Sequence, residues 1–424
     1  MRPAKPAKPR LALFHFPTRM TSSVPRAAPH GLLVANLLAQ LAFGLLAMTI
    51  CLPSMQEWGA IFDRSQAAVQ LTFSAYVLTY GSLQLLYGPL SDRLGRKRVL
   101  MFGLAVGGLG SALAALAPDL NTLVAARALQ GAGAAAGMVV GRAMVQDLFQ
   151  GPERTRVMAY VGMAMGLCPP LATIIGGQLH VRLGWQANFV LMTVLAAVLF
   201  VAAWRGLPDH QKATTVQPHW LRAMLSSYAR LAREPSFALH VGLLAMTTAT
   251  FYAFLGGAPI VLGSYGVGPD GIGYYIMCVP GAYILGNFAV SHLVHRLGER
   301  PLMRLGQGFT LGGIALMLSL ALIGVNTPWA FALPLMLLGI GHGLLVPPAL
   351  AGTVGLLPAL AGSAAAVAGL MQQMMGAVGG FAVGLFQHEG AVNLGWLMLG
   401  FALLGALAQW RLHRPPRPGP VRVH

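Results

Sequence analysis

Arg127 is a charged residue inside an apolar block of the sequence, residues 122–146, and Gln130 follows it by one helical turn. A charge is costly in hydrocarbon, so an arginine inside a membrane span usually faces a polar interior and marks a pathway. Gln130, one turn later, favours this inward-facing interpretation. The alternative is a side chain that reaches the outer interface from a shifted helix. The pair predicts a polar, positively charged site inside a helical bundle.

Other residues that could carry a proton or bind a ligand are spread over several apolar blocks. His240 and His342 are titratable near neutral pH, although a structural or interfacial histidine would look the same. Thr49, Tyr80 and Gln373 are candidates for a weakly polar cavity, and such residues also bond between helices. The sequence contains no nucleophile with its base, no paired acids, no metal-ligand spacing and no Gly-x-x-x-x-Gly-Lys-Ser/Thr loop. We therefore predict no enzymatic activity, no metal and no cofactor.

A glycine, acid and arginine motif lies between two apolar blocks. It has the pattern Gly-x-x-x-Asp-Arg-x-Gly-Arg-Lys, whose residues include Gly88, Asp92, Arg93, Gly95 and Arg96. A generic positively charged loop would not require these glycines or the acid. Asp92 can meet the positive N-terminal end of a helix that begins near Ser363. Arg96 can pair with an acid across the domain, and we expect this acid to be Asp147. We therefore predict an inner gate here.

The composition indicates a membrane protein. The sequence is 56% hydrophobic and 9% charged, against roughly 25% charged residues in a soluble domain. Its 11 acidic residues can all be placed in loops or at helix ends. A protein with many membrane spans requires this placement, because an unpaired carboxylate is costly in hydrocarbon. Only helices satisfy their own backbone groups over such long apolar blocks, so we predict an all-α fold. The twelve predicted spans are 31–52, 67–89, 99–117, 122–146, 157–179, 188–205, 237–260, 272–294, 302–324, 330–351, 363–386 and 393–410.

The basic residues predict the orientation of these spans. With the N-terminus in the cytoplasm, every Lys and Arg except Arg64, Arg127 and Arg182 lies inside or at an inner helix end. The opposite orientation would reverse this bias. We therefore expect both termini in the cytoplasm. We attribute the net charge of +17 to topology and to contact with anionic lipids, and not to nucleic-acid binding.

A long polar stretch divides the predicted spans into two groups of six. The predicted parts are a disordered basic leader (1–30), a first half (31–205), a cytoplasmic linker (206–236), a second half (237–410) and a basic tail (411–424). Apolar residues three or four apart between 220 and 231 predict an amphipathic helix on the membrane surface or a solvated linker helix. Arg93-Leu94-Gly95 and Arg296-Leu297-Gly298 follow the second span of each half. We therefore predict two pseudo-symmetric halves that form an internal repeat.

Together these motifs resemble the major facilitator superfamily over nearly the whole chain. Residues 67–76 lead into the gate motif, and within the superfamily the chain is most similar to drug:proton antiporters with 12 spans, of the bicyclomycin-resistance (Bcr/CflA) branch. The resemblance implies the major facilitator fold, with two six-helix halves around a cavity. It also places Arg127 and Gln130 in a motif associated with proton coupling, and it joins Arg142 to the inner gate beside Asp147.

The fifth predicted span resembles the antiporter signature of the same superfamily. The signature residues are Gly166, Pro169, Pro170, Gly176 and Gly177. Proline kinks a helix and glycine permits close packing, so we expect this helix to shape the interface between the halves. An ordinary kinked helix would carry the same residues. The chain departs from the family pattern at Thr173, where proline is usual, and at Thr49, where an acid is usual.

These features predict a secondary transporter in the bacterial inner membrane that exports hydrophobic or amphipathic small molecules. We expect protons to be the coupling ion and the protein to be a monomer. Because the predicted spans contain no acid, the proton would be carried by a histidine, by the gate acids or by the substrate. The alternative is a facilitator or importer of a small metabolite. Anions are among the candidates, since Arg127 is the expected fixed charge of the cavity. A membrane receptor without transport activity would not need the gate motif in both halves.

Overall fold

The computed structural model describes residues 30–209, 220–357, 360–387 and 389–413. Over these ranges the chain is helical and contains no strand. The helices up to the linker are α1 (His30–Thr49), α2 (Met55–Phe62), α3 (Gln66–Leu94), α4 (Arg96–Ala115), α5 (Leu120–Leu148), α6 (Gly151–Leu183) and α7 (Gln186–Gly206). They are followed by α8 (Trp220–Ala232), α9 (Pro235–Ser264), α10 (Pro269–Ile276), α11 (Cys278–Leu297), α12 (Glu299–Leu322), α13 (Pro328–Gly355), α14 (Ala361–Val383) and α15 (Ala391–Leu412). The predicted leader, apart from His30, lies outside the described residues, as does 414–424 of the predicted tail.

Local sequence explains where several helices begin and end. Ser65, Asp119 and Thr327 precede α3, α5 and α13, and each side chain accepts a hydrogen bond from a backbone N–H three residues later. Such N-caps satisfy a donor that the helix itself cannot. Pro53 has no N–H to offer the carbonyl of Thr49, so α1 ends there and a single 3-10 turn follows.

Among the described residues, eleven helical segments are long and apolar enough to span a membrane. The sequence predicts twelve, and the helix that does not qualify is α3, which has 29 residues but carries more polar side chains. The predicted span 272–294 also differs, because the structure interrupts it at Met277 between α10 and α11. Pro280 cannot donate to the Ile276 carbonyl, which explains the break.

The two halves repeat one packing arrangement. In the first half α5 packs against both α3 and α4, and in the second half α13 packs against both α11 and α12. Gly95 and Gly298, from the repeated Arg-Leu-Gly sequence, have φ angles of 95° and 77° and stand directly before α4 and α12. Glycine adopts this backbone region without strain. The predicted all-helical architecture of two pseudo-symmetric halves is confirmed.

The linker contains a helix, as the spacing of its apolar residues predicts. α8 covers Trp220–Ala232, and residues 210–219 lie outside the described part of the chain. Leu231 is fully buried against Phe237 and Val241 of α9 and Ala364 of α14. The end of this helix is therefore docked onto the second half.

The halves meet through buried hydrogen bonds from α3. Gln70 Nε2 donates to Gly256 O of α9, and Ser74 Oγ donates to Ala377 O of α14, both at 2.9 Å. We call this contact the α3 closure. The α3 closure lies near the beginning of α3. It explains why α3 can be polar, because the hydrogen-bonding side chains of this helix face protein and not lipid. By the orientation predicted from the basic residues, the α3 closure is at the outer side of the membrane.

Candidate functional site

Arg127 is held inside the first half by the end of α1. Its side chain is 0% exposed, and its guanidinium donates to Ala47 O at 2.8 Å and to Met48 O at 3.4 Å. Gln130 Oε1 accepts a further hydrogen bond from Arg127, and the Tyr76 ring centroid lies 4.2 Å from the guanidinium carbon. The C-terminal end of a helix carries partial negative charge, so α1 compensates the cation. The interpretation that Arg127 reaches the outer interface is wrong, and so is the expectation that it lines an open cavity in this conformation.

Gln130 extends this polar cluster towards α4. Its Nε2 donates to Ser111 Oγ at 2.8 Å, and Ser111 in turn donates to Gly107 O. All of these side chains are buried. The proximity of Arg127 and Gln130 was predicted from their spacing, whereas Ser111 carries no sequence signal because its role depends on how α4 packs on α5.

Thr49 is the last residue of α1 and directly follows the two carbonyls that bind Arg127. Its side chain is fully buried and donates to Leu45 O of its own helix at 2.9 Å. The expectation that a side chain at this position faces an open cavity is therefore wrong for this conformation. An acid here would be close to a guanidinium that already has backbone partners.

Tyr80 and Gln373 lie on α3 and α14, two helices from different halves that pack against each other. Tyr80 is buried and stacks on Tyr76 with 5.8 Å between ring centroids. Gln373 packs so closely on Gly81 that a Cβ there would collide with it, and its Oε1 accepts a hydrogen bond from Tyr252 Oη at 3.1 Å. Gln373 is thus found at the interface between the halves, whereas the Tyr80 ring packs within the first half, on Tyr76 and against Gly44 of α1.

The two candidate histidines lie apart from the arginine cluster. His240 is near the beginning of α9, where its Nδ1 is 2.8 Å from Ser236 O and its ring packs against Gly352 of α13. His342 on α13 is 5% exposed, packs edge-on against Phe251 at 6.5 Å, and has a buried Nε2 with no hydrogen-bond partner among the described residues. The structure does not bring either histidine into contact with Arg127.

The gate motif is organised around Arg96. Its guanidinium contacts Asp92 Oδ1 at 2.6 Å, Asp147 Oδ2 at 3.2 Å and Ser91 Oγ at 2.6 Å. The pairing with Asp147 is the contact that the sequence predicts. Ser91 is an additional partner that the sequence did not single out. The described contacts of Arg96 all lie within the first half, and the expected contact between Asp92 and the beginning of α14 stays a prediction.

The other residues of the motif have unequal constraints. Gly95 has a φ angle of 95° and joins α3 to α4, so a side chain would strain the backbone. Gly88 is different, because a Cβ there would lie 3.7 Å from Val139 Cγ1, an ordinary contact. The packing of α3 on α5 therefore does not require a glycine at position 88. Arg93 is exposed.

Arg142, expected in the inner gate, points elsewhere. Its side chain is exposed, and its described hydrogen bond runs from Nη2 to Met165 Sδ of α6 at 3.2 Å. The neighbouring Gly141 faces Leu41 of α1, whereas Val139 faces α3. By helical periodicity, Arg142 lies between these two sides of α5 and therefore opens into the space between α1 and α3.

α6 combines an interrupted hydrogen-bond ladder with close contacts to the second half. Pro169 and Pro170 lie within the helix and leave the carbonyls of residues 165 and 166 without their usual helical donors. Gly176 packs on the carbonyl of Ile50, and Gly177 packs on the carbonyl of Pro269, so neither site has room for a Cβ. Gly166 faces Ile284 of α11. These signature glycines thus lie at contacts of α6 with the turn after α1, with α10 and with α11.

One polar pair, between α6 and α2, carries no sequence signal. His180 Nε2 of α6 is 2.9 Å from Glu57 Oε2 of α2. Glu57 precedes His180 by more than a hundred residues, so only the packing of α2 against α6 reveals the contact. It joins two elements at the end of the first half that also carries the α3 closure.

Comparison with known proteins gives a consistent result. A family model described as the Major Facilitator Superfamily matches residues 32–380. Multidrug resistance protein D of Escherichia coli is 28% identical over 380 residues, which cover 88% of this chain and 93% of that protein. The chloramphenicol resistance protein of Pseudomonas aeruginosa is 27% identical over 79% of this chain and 80% of its own length. The bicyclomycin resistance protein homolog of Haemophilus influenzae is 26% identical over 88% of this chain and 95% of its own.

Solved structures share the fold. A peptide transporter POT, in complex with alafosfalin, superposes with a TM-score of 0.72 at 16% identity, over 92% of this chain and 97% of that one. The nucleoside transporter NupG superposes with a TM-score of 0.70 at 14% identity, over 90% and 98% of the two chains.

Proposed function

Because the chain belongs to the major facilitator superfamily, we propose that this membrane transporter exports hydrophobic or amphipathic small molecules, drugs among them. Relatives that cover most of its length are named for resistance to multiple drugs, chloramphenicol and bicyclomycin. The many apolar helices and the bacterial relatives support a multi-pass protein of the bacterial inner membrane. Both termini are cytoplasmic in this proposal, because that orientation keeps nearly all basic residues inside.

The α3 closure is the observation that supports alternating access. Gln70 and Ser74 join the halves by buried hydrogen bonds, while Arg142, further along the bundle towards the gate motif, is exposed. A bundle that is closed at the α3 closure and open on the side of the gate motif corresponds to one state of a transporter that opens alternately to each side of the membrane. With cytoplasmic termini, this state is open to the cytoplasm and able to take up substrate for export.

Protons are the coupling ion that we propose. The spans contain no acid at mid-depth, and Arg127 is compensated by carbonyls of α1. A proton must therefore be carried elsewhere. Of the predicted carriers we propose the gate acids Asp92 and Asp147, whose side chains are partly exposed.

A second candidate function is uptake or facilitated diffusion of an anionic metabolite. The exposed Arg142 favours it, because a positive charge open to the interior suits an anion. The two functions differ in their response to a proton gradient, since an antiporter requires one and a facilitator does not.

The test uses inside-out vesicles from an efflux-deficient bacterial host. Radiolabelled chloramphenicol is added with an acid-inside gradient and again after an ionophore has collapsed it. We expect accumulation only with the gradient, and loss of accumulation in Arg127→Ala. The control is Arg205→Ala, at the exposed end of α7, with equal amounts of protein in each membrane. Equilibration that ignores the gradient would favour the facilitator, and absence of any movement, together with an unchanged drug-susceptibility profile, would contradict drug export.

A further inference from the structure

The charges inside the bundle have one sign. The acidic residues of the helices that cross the bundle, such as Asp92, Asp147 and Glu153, lie in their first or last turns or at the inner gate. Between those ends the first half carries Arg127 and Arg142. A positive charge without a nearby carboxylate interacts strongly with any ion that enters a space of low dielectric constant. The fixed charges that lie between these helix ends in the first half are therefore positive.

Arg127 is not the residue that a substrate meets. It is 0% exposed, and its guanidinium is occupied by the carbonyls of Ala47 and Met48, by Gln130 and by the Tyr76 ring. An incoming molecule would have to displace these partners to reach it. In this conformation its charge is already compensated.

Arg142, in contrast, can be reached by a substrate. A guanidinium has several N–H donors in a planar fork, yet the hydrogen bond that the structure describes for Arg142 goes to the sulfur of Met165, a weak acceptor. Asp147, five residues along the same helix, contacts Arg96, and residues five apart on a helix do not face each other. Unlike Arg127, Arg142 has an exposed side chain.

The packing around Arg142 directs it to the inside of the protein. Val139 and Gly141 on either side contact α3 and α1, so Arg142 does not face lipid. Gly131 lies on the same face of α5 as Arg142, three turns nearer the α3 closure. The backbone of Tyr76 on α3 covers Gly131, so this face of α5 is buried on the side of the closure. Met165 precedes Gly166, which contacts α11 of the second half. Arg142 thus stands in the space between the halves, on the open side of the closure.

We propose that Arg142 is the substrate-recognition cation of this transporter, and that it selects amphipathic anions and neutral aromatic compounds over lipophilic cations. The proposal rests on the transport function proposed above and specifies its substrate class. A guanidinium binds carboxylate, sulfonate or phosphate groups through paired hydrogen bonds and stacks on aromatic rings. Met165 beside it is polarizable and flexible and adapts to varied apolar groups. A lipophilic cation would instead meet an uncompensated positive charge.

The experiment compares two ions of the same shape and opposite charge. Binding of tetraphenylborate and of tetraphenylphosphonium is measured on the purified full-length protein in detergent, for the parent, Arg142→Gln and Arg142→Lys. Arg205→Gln, at the exposed end of α7, is the control for charge effects outside the bundle. Size-exclusion chromatography verifies that each variant is folded.

We expect the parent to bind the borate at least about tenfold more tightly than the phosphonium, because the guanidinium charge attracts the anion and repels the cation in a space of low dielectric constant. Arg142→Gln should remove most of this preference, Arg142→Lys should retain part of it, and Arg205→Gln should leave it unchanged. Equal binding of the two ions by the parent, or a preference that survives Arg142→Gln, would overturn the proposal. If vesicles still accumulate neutral chloramphenicol in that case, the export function stands and only the assignment of Arg142 fails.

Discussion

The α3 closure should be held by side-chain hydrogen bonds that can be removed one at a time. Gln70→Leu and Ser74→Ala delete the two donors that reach across to α9 and α14. Both substitutions keep the helix and leave an apolar side chain of equal or smaller size. The acceptors are backbone carbonyls of the second half, so neither substitution leaves a charge without a partner.

The size of the effect follows from these contacts. A buried neutral hydrogen bond contributes about 1 kcal/mol net, so the double variant should weaken the closed state by about 2 kcal/mol. This corresponds to a roughly thirtyfold increase in the population that is open at the α3 closure. Thr72→Val is the matched control, because Thr72 is equally buried on α3 but donates to Val69 O within its own helix.

The assay follows the reactivity of a thiol buried in the closure. Ala377 is 6% exposed, and Ala377→Cys retains the carbonyl that accepts from Ser74. In a background without the three native cysteines, a water-soluble maleimide labels the purified protein in detergent. If opening is faster than labelling, the rate reports the open population. We expect a rise of roughly thirtyfold in the double variant and none in Thr72→Val. Equal rates in all three proteins would refute the idea that these hydrogen bonds hold the halves together.

Four further predictions test the topology and individual sites. Reporter fusions at the C-terminus and within 206–236 should both report the cytoplasm, and an outside signal at either would contradict the orientation. Asp92→Asn should reduce transport more than it reduces the amount of folded protein, because its contact with Arg96 is half exposed; equal losses would make it a packing residue. Thr49→Asp should retain transport, measured by resistance profiles, because the new acid would lie close to a buried guanidinium; a well-expressed but inactive variant would contradict this. Gly177→Ala should lower the yield of folded protein because a Cβ would meet the Pro269 carbonyl, while Gly162→Ala has open space and should be neutral.

Much of the architecture was predictable because it depends on short stretches of sequence. Apolar blocks and the placement of acids indicate the spans, and the Arg-Leu-Gly repeat, whose glycines adopt positive φ at both positions, indicates the two halves. The pairing of Arg96 with Asp147 was also predictable from the motif. The polar character of α3 was harder to interpret, because its Gln70 and Ser74 bond to partners more than a hundred residues away.

Two arginines on α5 separate what the sequence by itself determined from what only the tertiary structure decided. The sequence determined that both lie in one apolar helix without an acid at mid-depth, since hydropathy and charge are local properties. It did not determine which of them is open to a ligand, and it suggested Arg127. The fold reverses this suggestion: the end of α1 supplies two carbonyls to Arg127, while Arg142 opens between α1 and α3 and contacts a thioether. The compensation of a buried charge depends on groups brought together from distant parts of the chain, so only the packed helices can assign it.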